Sequence, residues 1–225
     1  MEEDQQMLIG FDYGLASVEV LEVLIDDIED PALFDEIARA NSQRPKILAM
    51  LLEHPDTPGE VKAYITGVLQ VPVPVAAAVT EGKTPEMRRE SLTTKIQRLT
   101  ISARVQLALK GGREIRGILS RDSNKEVMLS VLDNGKITTS EIELIVKSRS
   151  ALEEALRRIS RNRDWMRNYA IVHGLVTNPK TPPGISISHV SDLKTKDLII
   201  LEKNKNVPEA VRIATKKLLH ARKPR

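Results

Sequence analysis

The apolar positions of this chain fall in short runs at helical spacing. Leu152, Ala155, Leu156 and Ile159 line one face of a helix, with Glu153, Glu154, Arg157, Arg158 and Arg161 opposite. Val127, Leu129, Val131 and Leu132 form another run, and Ile142, Leu144, Ile145 and Val146 the next. Val211, Ile213, Ala214, Leu218 and Leu219 form the last stripe. Residues 165–176, WMRNYAIVHGLV, are apolar on most sides and predict a more buried helix. Polar turns close the segments: SRDSN, DNGK, KSRS, RNRD, TNPK and KNKN. Upstream, SVEVLEVLIDDI over 17–28 predicts an amphipathic helix with an acidic face, and Asp30-Pro31 opens a second, to about Ala40. Residues 7–11, MLIGF, fit a short strand or an apolar tail.

One phrase is written twice, HPDTPGEV from His54 and NPKTPPGI from Asn178. Thr57 and Thr181 are predicted N-caps, their hydroxyls accepting from the first turn. Pro58 and Pro182 then stand at the first helical position, where a missing N–H does no harm. Glu60 would close a capping box with Thr57, and Pro55 and Pro179 would stop the preceding helix. Boxes of the S/T-x-x-E kind recur at Ser123, Thr138 and Ser150, with an Asn version at Asn206. Asp164 and Thr195 are predicted caps without a box, and Thr84-Pro85 repeats the cap-then-Pro device. From Ser123 onward these starts recur about every 14 residues. Helices that short are marginal alone and must stack on neighbours. The expected fold is all-α, an α-solenoid of short antiparallel helix pairs with a period of about 28 residues. The segments 47–61, 127–142 and 171–185 align as three versions of one unit.

On those phrases, over 43–69 and 98–219, the chain resembles the HEAT-like and leucine-rich-repeat-variant class of bacterial helical repeat proteins. The resemblance implies an α-solenoid and carries over no catalytic residue. Two features depart from it. The period is shorter than the ~40–47 residues of ordinary HEAT or armadillo units. The best-known leucine-rich-repeat-variant type holds a cysteine-bound Fe–S cluster, and this chain has no cysteine.

Composition supports helix: only 3% of the 225 residues are aromatic, few for an all-β sandwich. The lack of cysteine excludes disulfides, thiolate catalysis and zinc-thiolate sites. The opening MEEDQQMLIGFDYGL is acidic, which does not suit a secretory signal. No apolar stretch approaches the ~20 residues of a membrane span, so a soluble, cytoplasmic protein is expected. Pro and Gly punctuate 70–95. Three domains follow: an acidic helical region over 1–69, a Pro/Gly-containing linker over 70–97, and a basic helical-repeat region over 98–225. Residues 1–60 hold 15 Asp+Glu against 3 Lys+Arg, whereas 61–225 hold 16 against 31. The acidic first helices and the stretch 208–219 would cap the two ends of the array.

No enzyme signature stands out, and no cofactor or metal site is expected. His54, His173, His189 and His220 are scattered, with no HExxH. His54 falls at the turn position held elsewhere by Asn134 and Asn178, and His173 lies on an apolar helix. Gly111-Gly112 follows a helix and reads as a C-cap. Asp26, Asp27, Glu29 and Asp30 read as a solvated acidic face. A repair-type glycosylase would need an acid facing a basic groove, for which Asp164 is the one candidate. The most suggestive stretch is RRISRNRDWMRN over 157–168. It gathers Arg157, Arg158, Arg161, Arg163 and Arg167 around Trp165, a set able to grip an acidic peptide or phosphate. The expected function is a non-catalytic protein–protein interaction scaffold binding an acidic or helical peptide surface through that patch. The alternative is a nucleic-acid-binding solenoid using the basic C-terminal face.

Overall fold

The computed structural model describes residues 12–28, 30–70 and 92–222. Among them every regular element is a helix, as the pattern predicts. None is long and apolar enough to cross a membrane. The expectations for 7–11, for Glu29, for Thr84-Pro85 and for most of the 70–97 linker lie outside the described residues. Contacts divide the chain into two compact units, Met1–Leu119 and Ser120–Arg225. Residues 98–119, expected with the C-terminal array, belong to the first of these.

The first unit holds α1 (Val18–Ile25), α2 (Ala32–Ala40), α3 (Pro45–Glu53), α4 (Gly59–Leu69), a helical stretch over 92–97, α5 (Ile101–Lys110) and α6 (Arg113–Leu119). Ser17 caps α1 by accepting from the Val20 amide at 3.3 Å. Helix α3 packs on α1, α2 and α4, and α5 packs on α1 and α6. Leu21, Phe34, Ile37, Leu48, Leu51 and Leu107 are fully buried there. The acidic run is not a purely solvated face. Lys95 bridges Glu22 (3.0 Å) and Asp26 (2.7 Å), and an Asp27 oxygen accepts from the Ile115 amide at the start of α6. Gly111 does cap α5, donating to the Leu107 carbonyl at 2.7 Å. Its φ of −60° suits any residue. Glycine is needed for space: a Cβ would lie 2.5 Å from the Ile115 side chain and 2.6 Å from that carbonyl.

The second unit runs α7 (Lys125–Val131), α8 (Thr139–Lys147), α9 (Glu153–Arg161), a 3-10 turn (Trp165–Arg167), α10 (Tyr169–Thr177), α11 (Pro183–His189), a 3-10 turn (Val190–Asp192), α12 (Thr195–Lys203) and α13 (Glu209–Arg222). Helix α10 is sandwiched between two cores, which explains its apolar character on most sides. Ile171 and Leu175 join Ile142, Ile145, Leu156 and Ile159 in one. Val172 and Val176 join Leu198, Leu201 and Val211 in the other. Gly174 allows the approach to α8, because a Cβ would stand 2.7 Å from a Val146 methyl.

The punctuation between helices differs from the capping scheme. The Thr138–Glu141 box forms as expected. Thr57 and Thr181 do not cap the helices that follow. Each hydroxyl is buried and donates, at 2.6 Å, to the carbonyl six residues back, Leu51 or Leu175. Pro58 and Pro182 occupy the N-cap positions and bring no side-chain bond. Glu60 therefore has no capping hydroxyl to answer. Asn124, not Ser123, caps α7. Ser150 gives way to Leu152 as the residue before α9, Lys194 rather than Thr195 precedes α12, and α10 starts from Asn168 rather than Asp164.

What recurs is a turn after most helices of the second unit, α11 excepted. The side chains of Asp122, Asn134, Ser148, Asn162, Asn178 and Asn204 each accept from the backbone N–H two residues on, at 2.8–3.3 Å. Asn and Asp favour this local turn because a short polar side chain can mimic a backbone acceptor. In the first unit His54 does the same with Nδ1, reaching the Asp56 amide at 3.4 Å. The expectation that His54 is a turn residue is thus met by its geometry.

Candidate interaction surface

The arginine patch is positioned by the end of α9 and the 3-10 turn behind it. Arg157 reaches back one turn to Glu153, with bonds of 2.6 and 2.9 Å. Arg158 makes a two-pronged pair with Asp133, 25 residues earlier, and adds the Leu129 carbonyl. Arg167 pairs with Asp164 at 3.2 Å, both fully in solvent. That pairing also occupies the one acid considered for glycosylase chemistry. Arg161 and Arg163 are exposed and make no ion pair among the described residues. Trp165 is half-buried against the first core of the second unit, so its ring serves packing. The six residues are close in sequence, but Trp165 is taken up by the core. Three of the five guanidiniums already have carboxylates, and exposed pairs of that kind contribute at most about 1 kcal/mol each.

The cation–π contact in this unit forms elsewhere. Lys194 Nζ sits 4.6 Å from the centre of the Tyr169 ring. The Tyr169 hydroxyl donates to Asp197 and accepts from the Lys194 amide at 3.1 Å, tying α10 to the start of α12. Asn168 reaches Glu143 on α8 at 3.2 Å. His173 lies beside the Tyr169 ring, half-buried, with ring centres 6.2 Å apart. Desolvation pushes the Tyr169 phenol above its ordinary range, and the bond to Asp197 raises it further, while the Lys194 amide pulls the other way. A raised phenol stabilises the fold below its ordinary pKa of ~10, and the contribution is lost as pH climbs through the raised value. Burial raises the Tyr13 phenol as well, so ultraviolet titration is expected to show late transitions from both tyrosines, the Tyr169 one lost in Tyr169→Phe and moved to lower pH in Asp197→Asn. An unmoved transition in Asp197→Asn would show that the hydroxyl does not depend on that carboxylate.

The surface also carries large apolar side chains. Leu144, Ile187, Ile199, Ile200 and Ile213 are all exposed. Ile213, expected on the buried stripe of the last helix, therefore points to solvent, while Val211 and Thr215 face inward. On α12 Lys196, Ile199, Ile200 and Lys203 are exposed and share one face, at helical offsets 0, 3, 4 and 7. Leu198 and Leu201 hold the opposite face in the core.

No protein-family model, curated protein or solved structure matches this chain.

The α12 face was readable in principle. LIIL over 198–201 places four apolar residues in a row on a short helix, and a helix with one buried side must send some of them outward. The charge count points to the same end of the chain. Residues 194–225 hold 10 Lys+Arg against 3 Asp+Glu, a larger total excess than the 5 against 1 of residues 157–168.

Proposed function

We propose that this chain is a non-catalytic protein–protein interaction scaffold, its second unit stacked as a HEAT-like α-solenoid of short antiparallel helix pairs. Helices two apart along the chain touch: α7 with α9, α8 with α10, α11 with α13. Side-chain bonds between repeats cluster at separations of 25–32 residues, as in Arg158–Asp133, Asn178–Val146 and Arg222–Ser191. Both features suit a period of two helices. The observation that carries the functional reading is the series of exposed branched side chains on α8, α11, α12 and α13. A helical array with protruding Leu and Ile offers partner helices an apolar anchor, the usual centre of a protein interface.

Photocrosslinking tests it. With a benzophenone amino acid at position 187 or 213 of the full chain in cells, discrete protein adducts are expected. They should weaken when Leu144 or Ile200 is changed to Ser. Adducts with nucleic acid alone would sink the proposal.

A nucleic-acid-binding solenoid is the second reading. It is favoured by exposed cations with no acid partner among the described residues, Arg161, Arg163, Lys196, Lys203, Lys216 and Lys217. Its signature would be anisotropy changes with duplex DNA or RNA that fall steeply with salt yet persist at physiological ionic strength.

A further inference from the structure

We infer that the outward face of α12, Lys196–Ile199–Ile200–Lys203, is a docking strip for an acidic amphipathic helix of a partner protein. The inference rests on the scaffold reading and names the chemistry of the partner at one place on it. The strip is built, not incidental. Leu198 and Leu201 are essentially fully buried, which fixes the rotation of α12 and sends the two isoleucines outward. Ile199 is 47% and Ile200 67% exposed. Adjacent in sequence, they stand about 100° apart around the helix, one on either side of the line from Lys196 to Lys203.

The charges set the identity of the partner. Lys196 and Lys203 stand one turn before and one turn after the isoleucine pair, about 10 Å apart along the axis. Both are exposed and make no ion pair among the described residues. Asp197, the carboxylate nearest the strip at its start, is held by Tyr169 on α10. The face therefore presents an apolar centre between two available cations. Its complement is a helix with Leu or Ile at its centre and Asp or Glu one turn to either side. Phosphate backbones would use the lysines but gain nothing from two exposed isoleucines. A membrane surface would call for a longer apolar stripe than two side chains on one short helix.

A displayed library of helical peptides, selected against the full-length protein at physiological salt, tests this. Enriched clones are expected to carry Leu or Ile flanked by carboxylates at helical spacing. Their affinity should fall on the order of tenfold in Ile200→Ser and again in Lys196→Glu/Lys203→Glu. These positions are exposed, so both variants should keep the wild-type circular dichroism melt. Absence of enrichment, enrichment without acidic bias, or clones that bind the variants as tightly as wild type would each overturn the inference. So would binding to phosphatidylglycerol vesicles, lost in Ile200→Ser, with no peptide enriched. If crosslinking from positions 187 and 213 still yields protein adducts in that event, the scaffold reading stands and only the strip is wrong. If neither gives a protein contact, both fall.

Discussion

Replacing Asn178 with alanine is expected to lower the stability of the second unit by about 3 kcal/mol. The side chain is 4% exposed. Its amide donates to the Val146 carbonyl at 2.6 Å and to the Ser148 carbonyl at 2.9 Å, while its oxygen accepts from the Lys180 amide at 2.9 Å. One residue thus closes the turn after α10 and satisfies carbonyls at the end of α8 that no helical N–H can reach. Alanine would leave the buried Val146 carbonyl without this donor and would also remove the bonds to the Ser148 carbonyl and the Lys180 amide. Asn204 is the natural control. It makes the same local turn, to Asn206, but is half-buried, so Asn204→Ala should lose about 1 kcal/mol or less. Urea unfolding of the full chain, followed by the single Trp165, reads the second unit directly. Equal losses in the two variants would show that the reach to α8 contributes nothing.

Thr181→Asp should be at least as damaging, about 3 kcal/mol or more. At a helix N-cap, Asp serves as well as Thr, and the sequence places Thr181 at such a cap. In the fold the hydroxyl is 1% exposed and acts as a donor to the Leu175 carbonyl. An ionised carboxylate has no proton to give and would be forced against that oxygen out of water. Thr181→Ser should retain most of the stability, because the donor survives. Wild-type stability in Thr181→Asp, measured by the same urea transition, would return the residue to the role of a cap.

The repeated phrase at His54 and Asn178 has a double cause. The His or Asn bonds forward to the turn, and the Thr bonds backward to the end of the preceding helix. Pro then starts the next helix without needing a side-chain cap. Asn134 and Asn204 keep the first device, while Ile137 and Val207 stand where the Thr would be. The period was therefore legible, but the residue that writes it is the turn acceptor at the end of most helices. A short polar side chain looks the same in sequence whether it accepts from a following amide or donates to a preceding carbonyl.

The candidate site was less legible for a related reason. RRISRNRDWMRN stands out because its charges are adjacent in the chain. Two of its arginines are answered by local acids, Glu153 and Asp164, and a third by Asp133 just after α7, 25 residues earlier. The α12 face attracts less notice, since TKDLIILEK resembles any helix with a core-facing run. Its isoleucines became conspicuous only once Leu198 and Leu201 were found to hold the buried side.

The sequence by itself determined the all-helical class, the spacing of about 14 residues between helices and the buried character of α10. These depend on local propensity, turn chemistry and apolar period, which act within a few residues. Only the tertiary structure decided which way the threonine hydroxyls point, which arginines are already paired and which isoleucines remain in solvent. Arg158 is paired by Asp133, 25 residues away, Asn178 is held by Val146, 32 residues away, and the threonine hydroxyls turn back to a carbonyl across the end of a helix. A helix fixes the angle between its own side chains, but only packing against its neighbours fixes which of them water still reaches.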